Sequence, residues 1–325
     1  MSTLPQTVKN FVPSVRLQRI LALILLICQG GITVTGSIVR VTGSGLGCNT
    51  WPQCHEGSLV PVQGAAPLVH QVIEFGNRLL TFVVVASVVA VFVALLQAGR
   101  RTELMNYALI SGFGVILQAV IGGISVLMDL KWWSVALHFL PSMVLVWVAA
   151  LLFIRVAEPD DVEPVRTYPR AVRISAVVAV CALVVVLVTG TMVTGAGPHA
   201  GDAEAGMEGR LEVDIDLMAH IHGYLMYVYL FFTFITVVLL YQRKASAEAK
   251  RTGLILLAMI VVQGVIGIMQ YRLGVPRWSV PMHIAMSSVV VAFTSFLYAL
   301  GWRRYSPEGA ETEDTADTVT ARVGH

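Results

Sequence analysis

The chain has 325 residues, 56% of them hydrophobic and only 13% charged, and its mean hydropathy is +0.75. Soluble globular domains carry about 25% charged residues. This composition therefore excludes a soluble enzyme, a secreted disulfide scaffold and a disordered chain. The net charge of +2 is too small to indicate nucleic acid or another polyanion as a partner. The chain is expected to be a polytopic membrane protein.

Eight apolar stretches follow one another along the chain, and each is close to the ~20 residues that a helix needs to cross a bilayer. Because lipid cannot hydrogen-bond the backbone, each stretch is predicted to be a transmembrane helix. The first is interpreted as an uncleaved span, since no small-residue cleavage site follows it. The predicted spans are 20–39, 71–97, 105–128, 133–154, 174–195, 217–241, 254–272 and 279–301.

Lysines and arginines are distributed unevenly between the two sides of the predicted membrane. Of the 22 basic residues, 16 fall in the termini and in the loops after spans two, four and six. The positive-inside rule then places both termini in the cytoplasm, in a multi-pass protein of the plasma membrane. Residues 1–19 form the predicted cytoplasmic N-terminus. The polar, acidic tail over 303–325 is predicted to be disordered.

The chain contains an internal duplication. Residues 117–146 align with residues 262–291 without a gap, at an offset of 145, and the Val-Thr-Gly segment at 34–36 recurs at 188–190. An even number of spans per repeat makes the repeats parallel. The predicted fold is all-α, with two pseudo-symmetric four-helix bundles over 20–155 and 174–302, joined by a cytoplasmic linker over 156–173.

Histidines occupy matched positions near the outer ends of the predicted spans. His138 and His283 are equivalent in the repeat, and His222 corresponds to Asn77. Histidines inside a bilayer need partners, and two of them on facing helices suit axial ligation of a haem iron. A zinc site is less well supported, because no third and fourth ligand converge. His220 is the alternative to His222, since only one of the two can face the bundle interior.

The start of the second span carries charges that the second half lacks. Glu74 and Arg78 are four residues apart and lie on one helix face. Spacing alone fits an ion pair that stabilises the helix end, whereas its restriction to one half favours a specific role. His70 lies about two turns further out and is either a loop residue or a ligand reaching inward.

The first outer loop carries two cysteines, Cys48 and Cys54. Outside the membrane such a pair can form a disulfide that holds the loop over the bundle, although metal binding and redox exchange are also compatible with the spacing. Arg40 and Arg210 are candidates for binding haem propionates. Simple positioning of their charges at the membrane interface explains these two arginines equally well.

Several segments together resemble the haem A synthase family, membrane enzymes of cytochrome oxidase assembly. These are VTGSGLGC at 41–48, WPQCH at 51–55, the E-x-x-x-R start of span two, LQA-x-x-G and ALHF within 117–139, and W-S-x-x-x-H ending at 283. The resemblance covers all eight spans and implies two four-helix bundles. It also implies oxidation of a methyl group of haem O to the formyl group of haem A by successive hydroxylations.

The resemblance assigns roles to individual residues. It implies that His222 and His283 bind the iron of a haem b cofactor, that His138 binds the substrate haem iron, and that Glu74 is the catalytic carboxylate. Cys48 and Cys54 match a cysteine pair found in many members. Haem O is the implied substrate, and the haem O synthase (a farnesyltransferase) and cytochrome oxidase assembly factors are implied partners.

One position departs from the family pattern. Many members have E-x-x-H-R at the start of the second span, where this chain has Asn77 before Arg78. Either His138 alone holds the substrate haem, leaving an open side, or His70 substitutes; we favour the open side. Arg78, His70 and Asn77 are grouped with the substrate site.

Two other functions compete with this interpretation. A di-haem electron-transfer cytochrome would use the same histidines but needs no carboxylate beside one haem. A transporter can also be built from parallel repeats, but here the polar residues cluster at the outer ends of the spans. The sequence leaves open the electron acceptor and the oligomeric state, a homo-oligomer included.

Overall fold

The computed structural model describes residues 12–200 and 209–305, and its main elements are eight long helices. All eight are long and apolar enough to cross a membrane, which confirms the predicted all-α polytopic architecture. The described residues also contain one short two-stranded antiparallel sheet, in which Val165–Arg166 pairs with Trp302–Arg303. The elements are α1 Val15–Val41, α2 Leu68–Gln97, α3 Thr102–Leu127, α4 Trp132–Arg155, β1 Val165–Arg166, α5 Arg170–Ala196, α6 Ile215–Gln242, α7 Ala247–Arg272, α8 Ser279–Ala299 and β2 Trp302–Arg303.

Most of the helices are longer than the apolar stretches that predicted them. α1 begins five residues before the predicted span, inside the segment assigned to the N-terminus, and α5 begins within the predicted linker. Polar residues just outside the bilayer can continue a helix because its backbone bonds remain internal. Hydrophobicity therefore located the spans but underestimated several helix ends.

Side-chain caps define the start of three helices, α1, α6 and α7, the last through Ser246. Ser14 Oγ accepts a hydrogen bond from the Leu17 amide at 3.2 Å at the start of α1. Asp214 Oδ1 accepts from the Asp216 and Leu217 amides at 2.9 and 3.1 Å at the start of α6. These oxygens satisfy amides that the first helical turn leaves without backbone partners.

The two halves differ in whether their four helices form a closed bundle. In the first half, α1 packs against α2 and α4, and α3 packs against α2 and α4, so the four helices form a closed bundle. In the second half, α6 packs against α5 and α7, and α8 packs against α7. Within the described residues, α5 and α8 do not pack side by side as α1 and α4 do. The pseudo-symmetry and the domain boundaries stay predictions.

The halves are joined along α1, α4 and α8. Thr33 in α1 lies 3.1 Å from Ser288 in α8, oxygen to oxygen, and Ser295 donates to the Trp147 carbonyl at 3.0 Å. Small hydroxyl side chains allow close helix approach and hydrogen bonding across helices within lipid. The two halves therefore share one interface in the middle of the molecule.

The ends of the bundle are distinct. Consecutive helices run antiparallel, and the loop residues 42–67, 128–131, 197–200, 209–214 and 273–278 lie at one end. We call it the disulfide end, because the Cys48–Cys54 disulfide lies there. The opposite end carries the loops over 98–101, 156–169 and 243–246 and is called the linker end.

A cluster of ion pairs closes the linker end. Glu158 is 3% exposed, and its carboxylate lies 2.9 Å from Arg155, 3.1 Å from Arg303 and 3.5 Å from Arg101. The prediction of a disordered segment from residue 303 is wrong for its first residues, because Arg303 belongs to β2 and both Arg303 and Arg304 form ion pairs. Residues 306–325, the rest of the predicted tail, lie outside the described residues.

Candidate functional site

Two histidines of the second half converge near the disulfide end. His222 lies in the second turn of α6 and His283 in the first turns of α8. Their ring centroids are 6.5 Å apart. Two imidazoles that bind one metal ion from opposite sides, at about 2.0–2.1 Å from metal to nitrogen, have ring centres about 6–7 Å apart. The pair therefore has the spacing of axial ligands.

The surroundings of the two rings leave nitrogen atoms uncommitted. Thr189 Oγ1 lies 3.2 Å from His222 Nδ1, and this contact leaves His222 Nε2 available for another partner. Gln263 Nε2 lies 3.1 Å from His283 Nε2, while His283 Nδ1 is buried without a hydrogen-bond partner. Buried polar atoms are normally paired. The donor set and its unpaired atom therefore fit a group that enters between the rings.

Glycines make room for these rings. A Cβ atom on Gly190 would lie 3.2 Å from His222 Cε1, and one on Gly267 would lie 3.2 Å from His283 Cε1. Contacts this short would force the ring to move. Sequence reasoning did not assign these glycines a role, although Gly190 belongs to the duplicated Val-Thr-Gly segment.

The first half has the same histidine–glycine contact once. A Cβ atom on Gly122 would lie 3.1 Å from His138 Cε1. His138 Nδ1 is buried and unpaired, and so are both amide atoms of Gln118, one turn from Gly122 on α3. Asn77 is tied to α1, because Thr35 donates to its Oδ1 at 2.7 Å. His138 and Gln118 thus form a polar site without protein partners for these atoms.

The Glu74–Arg78 pair is an ion pair and also anchors the disulfide loop. Arg78 Nη2 lies 2.5 Å from Glu74 Oε1, and Glu74 Oε2 accepts a hydrogen bond from the Cys48 amide at 2.7 Å. Arg78 donates to the carbonyls of Cys48, Thr50 and Gln53 at 3.1–3.2 Å. The i,i+4 ion pair is thus present, and both residues also fix the loop above α2, which sequence reasoning did not predict.

The predicted pairing of Cys48 with Cys54 is confirmed, and the residue after it was missed by sequence reasoning. His55 is 7% exposed. Its Nδ1 lies 3.1 Å from Asn49 Oδ1, and its Nε2 lies 2.9 Å from Gln71 Oε1. The sequence signal was its place directly after Cys54. Its ring holds the loop to α2 one turn before Glu74.

His70 and His220 lie away from the paired rings. His220 is exposed, and its Nδ1 lies 2.6 Å from the Asp216 carbonyl oxygen, whereas His222 faces His283. His70 is half-buried in the first turn of α2, and within the described residues no hydrogen bond of its ring was found. The structure therefore favours His222 over His220 as the inward-facing residue.

The two arginines proposed for propionates bind backbone carbonyls. Arg40 donates to the His199 and Thr194 carbonyls at 2.9 and 3.0 Å. Arg210 donates to the Ala196 carbonyl at 2.8 Å and also to that of Gly197. Both arginines thus hold the end of α5 and the loop after it at the disulfide end.

Over the described residues, fold and site define a membrane protein of eight long helices with a pair of converging histidines and a disulfide-capped end. The sequence matches the family described as Cytochrome oxidase assembly protein over residues 19–295, and the chain belongs to that family.

Curated relatives from several bacteria carry the name Heme A synthase. The protein of Lysinibacillus sphaericus is 35% identical over 131 residues, which are 40% of this chain and 41% of the relative. The protein of Exiguobacterium sibiricum is 29% identical over 144 residues, 44% of this chain and 47% of the relative. A Listeria monocytogenes protein is 30% identical over 148 residues, 44% and 46% of the two chains. The matched stretch thus spans less than half of each relative.

Proposed function

We propose that this protein is a haem A synthase that oxidises a methyl group of haem O to the formyl group of haem A by successive hydroxylations, for cytochrome oxidase assembly. The family membership and the names of the relatives support this assignment. The observation that carries it is the pair of rings 6.5 Å apart, His222 and His283, inside one half of the membrane domain.

In this proposal the half over 174–302 holds haem b on His222 and His283. When bound, haem b would supply one-electron transfer. The protein's contribution is to hold both imidazoles at ligand spacing and to keep space against their edges through Gly190 and Gly267. The apolar helices around the two half-buried histidines would limit solvent access to the bound group.

The half over 20–155 is the proposed substrate site. His138 would bind the iron of haem O from one side, because its buried Nδ1 and the nearby Gln118 amide have no protein partners. Asn77 stands where a second histidine would be, and an amide is a poor iron ligand. The opposite side of the substrate iron would therefore stay open, with Arg78 and His70 at the rim.

Glu74 is the proposed catalytic carboxylate, which accepts or releases protons as the methyl carbon is oxidised. Its oxygens also hold the Cys48 amide and Arg78, so a loss of activity in a variant could come from a displaced loop. Glu74→Gln keeps a hydrogen-bond acceptor for the Cys48 amide but removes the charge. Thiol labelling of this variant reports whether the disulfide still forms, which separates the two roles.

The deciding experiment is haem extraction and mass analysis of cells that co-express this chain with a haem O synthase. Haem A should accumulate with the parent chain and be absent with Glu74→Gln, while the disulfide stays intact. His222→Ala and His283→Ala should each lose bound haem b. Haem b bound to a folded protein, with haem O unconverted by the parent chain, would instead indicate a di-haem electron-transfer cytochrome.

The proposal also includes the orientation of the protein in the plasma membrane and its partner proteins. The disulfide end would face the outside of the plasma membrane and both termini the cytoplasm, as the distribution of Lys and Arg predicts. The haem O synthase and cytochrome oxidase assembly factors are the proposed partners. A haem substrate carrying a long isoprenoid chain suits delivery from a neighbouring membrane protein rather than from water.

A further inference from the structure

The duplicated Val-Thr-Gly segments lie opposite matched positions of the neighbouring helices. Thr189 in α5 lies 3.2 Å from Nδ1 of His222 in α6, and Thr35 in α1 lies 2.7 Å from Oδ1 of Asn77 in α2. The two threonines correspond in the repeat, and so do the two residues that they contact. Both halves therefore place a threonine hydroxyl against the same position of the neighbouring helix, which is a histidine in one half and an asparagine in the other.

The hydroxyl of Thr189 has only one proton to donate. Its Oγ1 lies 2.9 Å from the Val185 carbonyl oxygen and 3.1 Å from that of Val186, one helical turn before it. A carbonyl oxygen can only accept, so we assign the hydroxyl proton to this backbone contact. The Thr189 oxygen then accepts a hydrogen bond from His222, which requires the proton of the neutral imidazole to be on Nδ1.

A proton on Nδ1 leaves the lone pair of Nε2 available. In a neutral imidazole only one ring nitrogen can bind a metal, and the hydrogen bond of the other nitrogen decides which one it is. The same hydrogen bond orients the plane of the ring and makes the imidazole a stronger electron donor. Thr189 is itself buried, at 9% exposure, so water does not replace it in this contact.

We propose that Thr189 is a positioning residue that fixes the tautomer and the orientation of His222. It thereby affects the affinity and the midpoint potential of the haem whose iron this histidine binds. The inference rests on the proposed function, because it takes His222 to be a ligand of haem b. The matching position of the first half also places a threonine hydroxyl beside the partner side chain, with Thr35 Oγ1 2.7 Å from Asn77 Oδ1.

The test uses the full chain, purified in detergent and loaded with haem b, with Thr189→Val as the main variant. Valine has the shape of threonine but cannot accept the hydrogen bond. Haem affinity should fall about 10–100-fold, as is typical for the loss of an outer partner of a ligating histidine. The midpoint potential of the haem that remains bound should rise, because a weaker imidazole donor stabilises oxidised iron less.

Two further variants separate this role from simple folding. Thr189→Ser keeps the hydroxyl and should restore both the affinity and the potential. Thr191→Val is the matched control, since Thr191 lies two residues further along α5 and donates only to the Val188 carbonyl, at 2.7 Å. It should behave as the parent chain does in both measurements.

The possible results distinguish the failure of this inference from the failure of the proposed function. If His222→Ala loses haem b but Thr189→Val keeps the parent affinity and potential, Thr189 has no positioning role and the haem site stands. If His222→Ala binds haem b as the parent does, the proposed ligand itself is wrong. A Thr189→Val potential that Thr189→Ser does not restore would also overturn the inference.

Discussion

Asn77 is the residue at which the two halves differ most in their chemistry. It occupies the position that matches His222, and Thr35 already lies beside it at 2.7 Å, as Thr189 lies beside His222. A histidine introduced at this position would find a hydroxyl ready to orient its ring. In the proposed substrate site, the hydroxyl that would orient a second ligand is therefore present, whereas the ligand is not.

Asn77→His should convert the proposed one-sided ligation of the substrate haem into ligation from both sides. With haem O bound, we expect the iron to change from high spin to low spin, because two imidazoles impose a stronger ligand field than one. Absorption and electron paramagnetic resonance spectra measure the change, and Asn77→Leu is the control that should stay high spin. An unchanged spin state would argue against an open side in the parent chain.

Gly190 and Gly36 occupy matched positions but have different neighbours. A Cβ atom at Gly190 would meet the His222 ring at 3.2 Å, whereas one at Gly36 would have nothing within 4 Å. Alanine favours a helix over glycine by about 1 kcal/mol. Gly36→Ala should therefore be neutral or slightly stabilising, while Gly190→Ala should displace His222 and weaken haem b binding. Equal haem affinities in the two variants would contradict this role of Gly190.

At the scale of elements, the linker end depends on a buried carboxylate. Glu158 joins the segment after α4 to the arginines of α4 and β2. Glu158→Gln should lower the free energy of unfolding by about 3–5 kcal/mol, because buried guanidinium groups lose their counter-charge. Denaturant titration in detergent measures the loss. Glu163→Gln, at an exposed position of the same segment, should show little change; similar losses in both would refute the prediction.

Asp160, at the same linker end, is expected to make the stability of the protein depend on pH. Partial burial opposes its ionisation, but hydrogen bonds and charges from Arg100 and Arg101 outweigh burial and hold its pKa below the usual value. A carboxyl with a lowered folded pKa stabilises the protein above about pH 4 and loses this effect as the pH falls through the folded pKa. Asp160→Asn should thus be less stable than the parent at pH 7, and the difference should shrink in acid. Asp161→Asn is the control.

At the scale of the whole molecule, the proposed orientation can be tested with single cysteines. In a background without the free cysteines Cys28 and Cys181, Glu212→Cys lies at the disulfide end and Glu163→Cys at the linker end. A membrane-impermeant maleimide should label the first in intact cells and the second only after permeabilisation. The reverse pattern would invert the topology.

Much of this architecture could be predicted from the sequence, for identifiable reasons. Eight spans followed from hydropathy because lipid permits few alternatives to a helix. The pairing of His222 with His283 followed from the internal repeat. The contacts of Thr189 could not be predicted, since they depend on which helix faces which. The anchoring of the loop by Arg78 could not be predicted either, because its acceptors are backbone carbonyls, which every residue has and no sequence pattern marks.

The loop over 42–67 also bears on how the protein matures. Arg78 lies three turns into α2 and donates to three carbonyls of that loop. Glu74 pairs with one side of this guanidinium within α2, and the loop carbonyls satisfy its remaining donors, so the loop completes the polar environment that Arg78 needs at this depth. The loop in turn is closed by a disulfide, which forms only in an oxidising compartment. Chains made in cells that cannot oxidise thiols should consequently leave the Arg78 donors less completely satisfied, which greater protease sensitivity of the loop would reveal.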